Sequence, residues 1–173
     1  MNRLHQWDLD LCIRFNRISV HRPVELLFRA VSRLGNGAFW YGLMLVLPLF
    51  GGAAGWQASA HMLVSAAPAL LIYKILKKST SRQRPCKVHP RVRQKAAALD
   101  RFSFPSGHTL HAVNFTLVCS AYLPELAAPL AWFTAMVALS RPVLGLHYPS
   151  DVLAGAAIGT LVALASLQLP LFA

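Results

Sequence analysis

Residues 34–73 read LGNGAFWYGLMLVLPLFGGAAGWQASAHMLVSAAPALLIY, and from Arg33 to Lys74 no Asp, Glu, Lys or Arg interrupts them. A helix that crosses a bilayer needs about 20 predominantly apolar residues, so this one gap can hold two crossings. Gly51-Gly52 to Gln57 supplies the turn between them. The whole chain agrees in composition: 55% of its 173 residues are hydrophobic and 13% are charged, against roughly 25% charged in an ordinary soluble domain. These numbers exclude an ordinary soluble protein.

Working outward, apolar runs predict spans at about 36–55, 57–76, 107–123, 126–143 and 150–171, with a basic loop over 77–104. The connections at 56–58 and 124–126 are short, which makes those pairs antiparallel neighbours. The expected fold is all-α: a polytopic membrane helix bundle of about five transmembrane helices. Ahead of it, Leu4, Trp7, Leu11, Phe15 and Ile18 recur at helical spacing, and Val24, Leu27, Phe28 and Val31 repeat the pattern after His21-Arg22-Pro23. Both stripes read as amphipathic helices lying in the membrane interface, although packing against the bundle would use the same pattern. The division expected is therefore 1–34 for interfacial helices and 35–173 for the transmembrane domain. Charges break up any apolar core near the N-terminus, so no signal peptide is expected.

The net charge is +11, yet Lys and Arg occur only in the first 33 residues, from Lys74 to Arg101, and at Arg141. No basic stripe is interleaved with exposed aromatics, so nucleic acid is not the expected partner. Anionic headgroups or a phosphorylated lipid fit better. Alternating five spans puts the N-terminus, the 77–104 loop and the Arg141–Asp151 segment on one face, where the polar residues converge. Cys12, Cys86 and Cys119 form neither a paired set nor a metal-ligand spacing.

Three clusters carry the chemistry. Lys77-Lys-Ser-Thr-Ser-Arg-Gln-Arg84-Pro85 offers a point charge and a planar fork suited to phosphate oxygens, though headgroup anchoring alone would use such a loop. Pro105-Ser106-Gly107-His108 stands before an apolar run: Ser106 can cap the helix, Gly107 admits a close ligand, and the free N–H groups make an anion site. His108 could there protonate a leaving oxygen. In Ser140-Arg-Pro-Val-Leu-Gly-Leu-His-Tyr-Pro-Ser-Asp151, Pro149 and Ser150 start a helix with Asp151 in its first turn. Asp151 can bond one ring nitrogen of His147, set its tautomer and leave the other nitrogen nucleophilic; a structural His–Asp tie is the plainer alternative. His111, His61 and the Arg91-Val-Arg93-Gln-Lys95 run carry plain readings as bundle contact, buried polar residue and solvated loop.

Together, Lys77-x6-Arg84-Pro85, Pro105-Ser106-Gly107-His108 and Ser140-Arg141-x5-His147-x3-Asp151 resemble the three-part signature of the type 2 phosphatidic acid phosphatase (PAP2) superfamily, with no departure at a signature position. The resemblance covers about residues 35–165. It implies that His147 attacks phosphorus to form a phosphohistidine, that Asp151 orients His147, and that His108 protonates the leaving group and then activates water. It also implies that Lys77, Arg84, Ser106, the Gly107 N–H and Arg141 hold the phosphoryl oxygens. No metal or other cofactor is implied, and only two acids, Asp100 and Asp151, lie near the motifs, too few for a carboxylate cluster around Mg²⁺.

The expectation is an integral-membrane, metal-independent lipid phosphate or diphosphate phosphatase acting on undecaprenyl diphosphate. The alternatives are a phosphatidylglycerophosphate or phosphatidate phosphatase, a lipid phosphotransferase, or a silent lipid-phosphate binder. The resemblance places it as a multi-pass protein of the cell (inner) membrane with its site facing the periplasm or outside. The positive-inside rule pulls the basic face toward the cytoplasm instead, and the outer face is the reading adopted.

Overall fold

The computed structural model describes residues 3–169, all helices and connections with no strand among them. The end of the last expected span, the terminal Ala173 and the side chain of Leu4 lie outside the described residues. The helices are α1 (Arg3–Ile18), α2 (Arg22–Arg33), α3 (Phe39–Phe50), α4 (Gly52–Thr80), the single turn α5 (Pro85–Val88), α6 (Gly107–Tyr122), α7 (Ala127–Val143) and α8 (Pro149–Leu167). Between α2 and α3 the backbone does not unwind into a loop. It kinks at Asn36 and Gly37, the latter at φ 116°, which favours glycine.

The first antiparallel turn is tighter than the sequence suggests. Gly51 and Gly52 make it alone, with Gly52 at φ 56°, so Gln57 lies inside α4 rather than in the connection. The reversal can be this abrupt because Gly55 presents no Cβ where the Leu47 carbonyl passes; one built there would stand 2.1 Å from that oxygen. The 29 residues of α4 extend about 43 Å, more than the hydrocarbon layer. Its last turn, with Lys77, therefore projects beyond that layer.

Among the described residues three segments are long and apolar enough to cross a membrane: Gly52–Val88, Pro124–Val143 and Pro149–Leu167. The other two expected spans correspond to α3 and α6, of 12 and 16 residues. Helix α6 is the axis of the bundle, packed on α4, α7 and α8. Its enclosure explains its polar content: Asn114 donates to Ser65 Oγ (2.9 Å), and Thr116 and Thr134 are bonded at 2.6 Å. Helix α8 approaches α6 through the small faces of Gly155 and Gly159, whose Cβ atoms would fall 2.6 Å from the Ser106 carbonyl and 2.4 Å from that of Leu110. Trp40, Met44, Met62, Phe115 and Val118 fill the main core, while Leu45, Leu49, Phe50, Leu71, Trp132 and Leu161 face outward.

Helices α1 and α2 both pack on α7, and α1 also touches α8. The buried face of α1 is Asp8, Leu9, Cys12, Ile13, Asn16 and Ser19; Trp7, Leu11 and Ile18 of the apolar stripe are exposed, Trp7 by 74%. Polar groups on the inner face do the fastening. Asn16 accepts from the Arg93 N–H (2.8 Å), and its amide donates to the Arg93 and Val143 carbonyls (3.0 and 2.9 Å). Lys95 is tied through its N–H to Leu144 and through Nζ to Glu25. The Arg91–Lys95 run is thus pinned down, with Val92 buried, rather than a freely solvated loop. Gly145, at φ 72°, lets the α7–α8 connection pass the Arg93 carbonyl closely.

Candidate active site

The C-terminal ends of α4 and α7, the N-terminal ends of α6 and α8, and the long 81–106 connection meet at one end of the bundle. His147 lies in the α7–α8 connection and is 2% exposed. Its Nδ1–H donates to the Ser103 carbonyl at 2.6 Å, which leaves Nε2 as the nitrogen with a free lone pair; Arg84 Nη1 donates to it at 3.1 Å. Burial, reinforced by Arg141, Arg84 and Lys77, pushes the imidazole well below its ordinary pKa of 6.5 and keeps it neutral. The expected hydrogen bond from the His147 ring to Asp151 is not formed. Asp151 stands 3.7 Å from Nδ1 because its two oxygens are engaged, one by the Tyr148 N–H (2.8 Å) at the start of α8 and one by Arg82 (2.7 Å). It is an ion-pair partner in waiting rather than the group that sets the tautomer.

The expected phosphate ligands surround this ring. Arg84, 3% exposed, also donates to the Leu146 carbonyl at 2.6 Å. Lys77 is buried at the end of α4 with Nζ 3.3 Å from the Pro105 carbonyl. Arg141 is 2% exposed; Nη1 donates to Ser32 Oγ, and Nε is buried without a hydrogen-bond partner among the described residues. Ser106 occupies the N-cap position of α6, but its hydroxyl pairs with Thr109 Oγ1 (3.0 Å) and caps no N–H. The first-turn amides of α6 stay available to an anion. Gly107 is required by the Tyr73 ring, which a Cβ would meet at 2.7 Å.

His108 lies within electrostatic reach of Arg141 and Arg84. It also lines a largely apolar cavity of about 320 Å³ with His111, Gly107, Trp40, Leu70 and Phe115. His111 stacks on Phe115 with centroids 5.7 Å apart. His61 is buried far from these groups, with Nδ1 2.8 Å from Tyr122 Oη. The site therefore has two sides: buried cations around a neutral imidazole, and a greasy chamber reaching His108.

Asp100, Tyr73, Arg82, Asp8 and Ser103 take part in the site although the sequence assigned none of them a role in it. Asp100 Oδ1 accepts from Arg84 Nη2 (2.8 Å) and Lys77 Nζ (3.1 Å), and Tyr73 donates to its other oxygen. Burial alone would raise this carboxyl's pKa, but the Tyr73 hydroxyl, Lys77 and Arg84 hold it below the usual carboxylate range. Arg82 bridges Asp8 Oδ2 (2.6 Å) and Asp151 Oδ1 (2.7 Å) while stacking on the Tyr148 ring, so α1 reaches the site through Asp8. Ser103 acts through a backbone carbonyl, which no residue pattern reveals. Arg82 lay inside the first basic cluster; nothing in the sequence separated it from its neighbours.

A neutral imidazole with Nδ1 anchored and the Nε2 lone pair facing cations has the chemistry of a nucleophile beside an anion site. Among the described residues no three His, Cys, Asp or Glu side chains converge as a metal site requires. Residues 58–172 match the family model described as the PAP2 superfamily. Decaprenylphosphoryl-5-phosphoribose phosphatase of Mycobacterium tuberculosis is 35% identical over 164 residues, 92% of this chain and 89% of that protein. The crystal structure of the transmembrane PAP2 type phosphatidylglycerolphosphate phosphatase from Bacillus subtilis superimposes with a TM-score of 0.78 at 22% identity, covering 97% of this chain and 86% of that one. That of Aquifex aeolicus LpxE gives 0.77 at 25% identity, covering 93% and 94%. The apolar helices are thus those of a multi-pass membrane phosphatase, and the chain belongs to the PAP2 superfamily.

Proposed function

We propose that the protein removes a terminal phosphoryl group from a membrane lipid, without a metal, through a phosphohistidine on His147. The observation that carries this is the His147 ring itself: Nδ1–H anchored on Ser103 and Nε2 directed at Arg84 among buried cations. Nε2 attacks phosphorus, the bond from phosphorus to the leaving oxygen breaks (an ester bond in a monophosphate, an anhydride bond in a diphosphate), and His108 gives the departing oxygen a proton. The phosphorylated ring is then a cation, held between the Ser103 carbonyl and Asp151, 3.7 Å away. Water attacks the phosphorus next, giving its proton to His108, and phosphate leaves with His147 neutral again. Lys77, Arg84, Arg141, the Ser106 hydroxyl and the Gly107 amide hold the phosphoryl oxygens through both steps.

The cavity beside His108 takes the lipid chain, so the leaving oxygen departs toward its acid. The helices α4, α7 and α8 cross the inner membrane, with the shorter α3 and α6 completing the bundle inside it and the site toward the periplasm. The exposed Trp7, Leu11 and Ile18 stripe of α1 lies along the membrane surface. Two substrates are favoured. Undecaprenyl diphosphate matches the density of buried cations. A phosphomonoester on a polyprenyl-linked sugar is suggested by the 35% identical relative named for such a lipid.

Phosphate release from purified protein, compared across undecaprenyl diphosphate, decaprenylphosphoryl-5-phosphoribose and phosphatidylglycerophosphate, tests the reading. A preference of about tenfold or more in kcat/KM for a polyprenyl lipid supports it. Equal rates on all three would remove the polyprenyl assignment, and no release from any would remove the function.

A further inference from the structure

We propose that Asp100 is a built-in competitor for phosphate: its carboxylate takes the anion position between Lys77 and Arg84, must yield it to substrate, and so favours phosphate carried on a lipid over free phosphate. The proposal rests on the phosphate-site reading above. Its ground is the contact set. One carboxylate is bound at once by Lys77 (3.1 Å), Arg84 (2.8 Å) and the Tyr73 hydroxyl, and Arg84 Nε also donates to the Asp100 carbonyl at 3.1 Å. Two cations placed for phosphoryl oxygens are thus already serving an internal anion. The lowered pKa of Asp100 keeps that anion ionised.

Asp100 also stands between two unlike compartments. The neighbouring Leu99, 63% exposed, lines the apolar cavity with Tyr73, Gly107 and His108. Asp100 itself lines a second, more polar pocket of about 860 Å³ with Arg84, Lys87 and Arg101. A lipid chain entering the apolar cavity presses on Leu99 and Tyr73, the residue that carries Asp100 in the chain and the one that holds it by a hydrogen bond. Chain binding and carboxylate release are mechanically joined. Free phosphate has no chain and must displace Asp100 by charge alone. The same carboxylate, returning, helps expel product phosphate into the polar pocket.

The test is inhibition of the full-length purified enzyme by inorganic phosphate and vanadate, with turnover of a lipid phosphate and of water-soluble p-nitrophenyl phosphate. Asp100→Asn removes the charge and keeps the shape. Inorganic phosphate should then inhibit on the order of tenfold more tightly, and the lipid-to-soluble activity ratio should fall. Asp100→Glu should restore weak phosphate inhibition, and Asp100→Ser carries the Asn expectation if the Asn variant misfolds. A residue that merely positions Lys77 and Arg84 predicts the opposite sign. Unchanged or weaker phosphate inhibition in folded Asp100→Asn would overturn the proposal. Arg84→Ala separates the two readings: if it leaves phosphate inhibition unaltered, the phosphate site lies elsewhere; if it weakens inhibition while Asp100→Asn does not tighten it, only the competitor proposal fails.

Discussion

His147 and His108 carry different burdens in the proposed reaction, and substitution separates them. His147→Ala removes the nucleophile, so turnover should fall by on the order of 10⁴ or more. Acid-labile phosphoenzyme, trapped by quenching, should disappear with it; its persistence would put the nucleophile elsewhere. His108→Ala keeps the nucleophile but loses the acid, worth about 10²–10⁴. Its cost should be larger for a lipid monophosphate, whose alkoxide needs a proton, than for a lipid diphosphate, whose leaving phosphate does not. The pH profile follows from the ring's surroundings. Because burial and three cations hold His147 below 6.5, acidification through 6.5 should leave the nucleophile neutral, with its acid limb in kcat/KM well below that value. Arg84→Gln removes one of those cations, so the limb should move up toward 6.5; a limb that stays put would mean Arg84 does not act on the ring. EDTA should leave activity largely intact while vanadate inhibits. Loss in EDTA with rescue by Mg²⁺ would contradict a reaction carried by side chains alone.

At the scale of the helices, the site depends on how closely α8 can lie on α6. The Ser106 N–H donates to the Asp151 carbonyl at 3.0 Å, joining the start of one helix to the start of the other. Gly155, four residues beyond Asp151 in α8, has no room for a Cβ against the Ser106 carbonyl. Gly155→Ala should cost about 1–3 kcal/mol of stability, visible as a lower unfolding temperature in detergent, and activity should fall because Ser106 and Asp151 move apart. Gly42→Ala is the control, since nothing lies within 4 Å of its Cβ position. Equal unfolding temperatures and activities for the two variants would refute the close-approach argument. The sequence already contained the Gly155-x3-Gly159 spacing, but not its partner. Which helix faces a small stripe is a matter of packing, not of pattern.

For the molecule as a whole, the helix directions place Pro90 at the end that holds the site and Glu125, between α6 and α7, at the opposite end; both residues are exposed. With Cys12, Cys86 and Cys119 replaced, single cysteines at 90 and 125 should label from opposite sides of sealed vesicles. Labelling of both from one side would refute the proposed crossings, and the side that labels position 90 reports which compartment the site faces.

The chain's own pattern determined the all-helical membrane architecture, because a charge-free run from Leu34 to Tyr73 has few stable homes outside hydrocarbon. It also marked Lys77, Arg84, Arg141, His147 and Asp151, since charge beside apolar helices is costly enough to stand out, while Ser106, Gly107 and His108 stood out by their place at a helix start and by the motif resemblance. Tertiary structure alone decided which of them touch. The tautomer of His147 is set by a backbone carbonyl at Ser103, Asp8 reaches the site from a helix more than 140 positions earlier than Asp151, and Asp100 finds Lys77 and Arg84 because Asn16, Glu25 and Leu144 pin the intervening loop. The physical reason is the same in each case. Helical spacing and charge placement are written locally, whereas a hydrogen bond between distant segments exists only after the chain has packed.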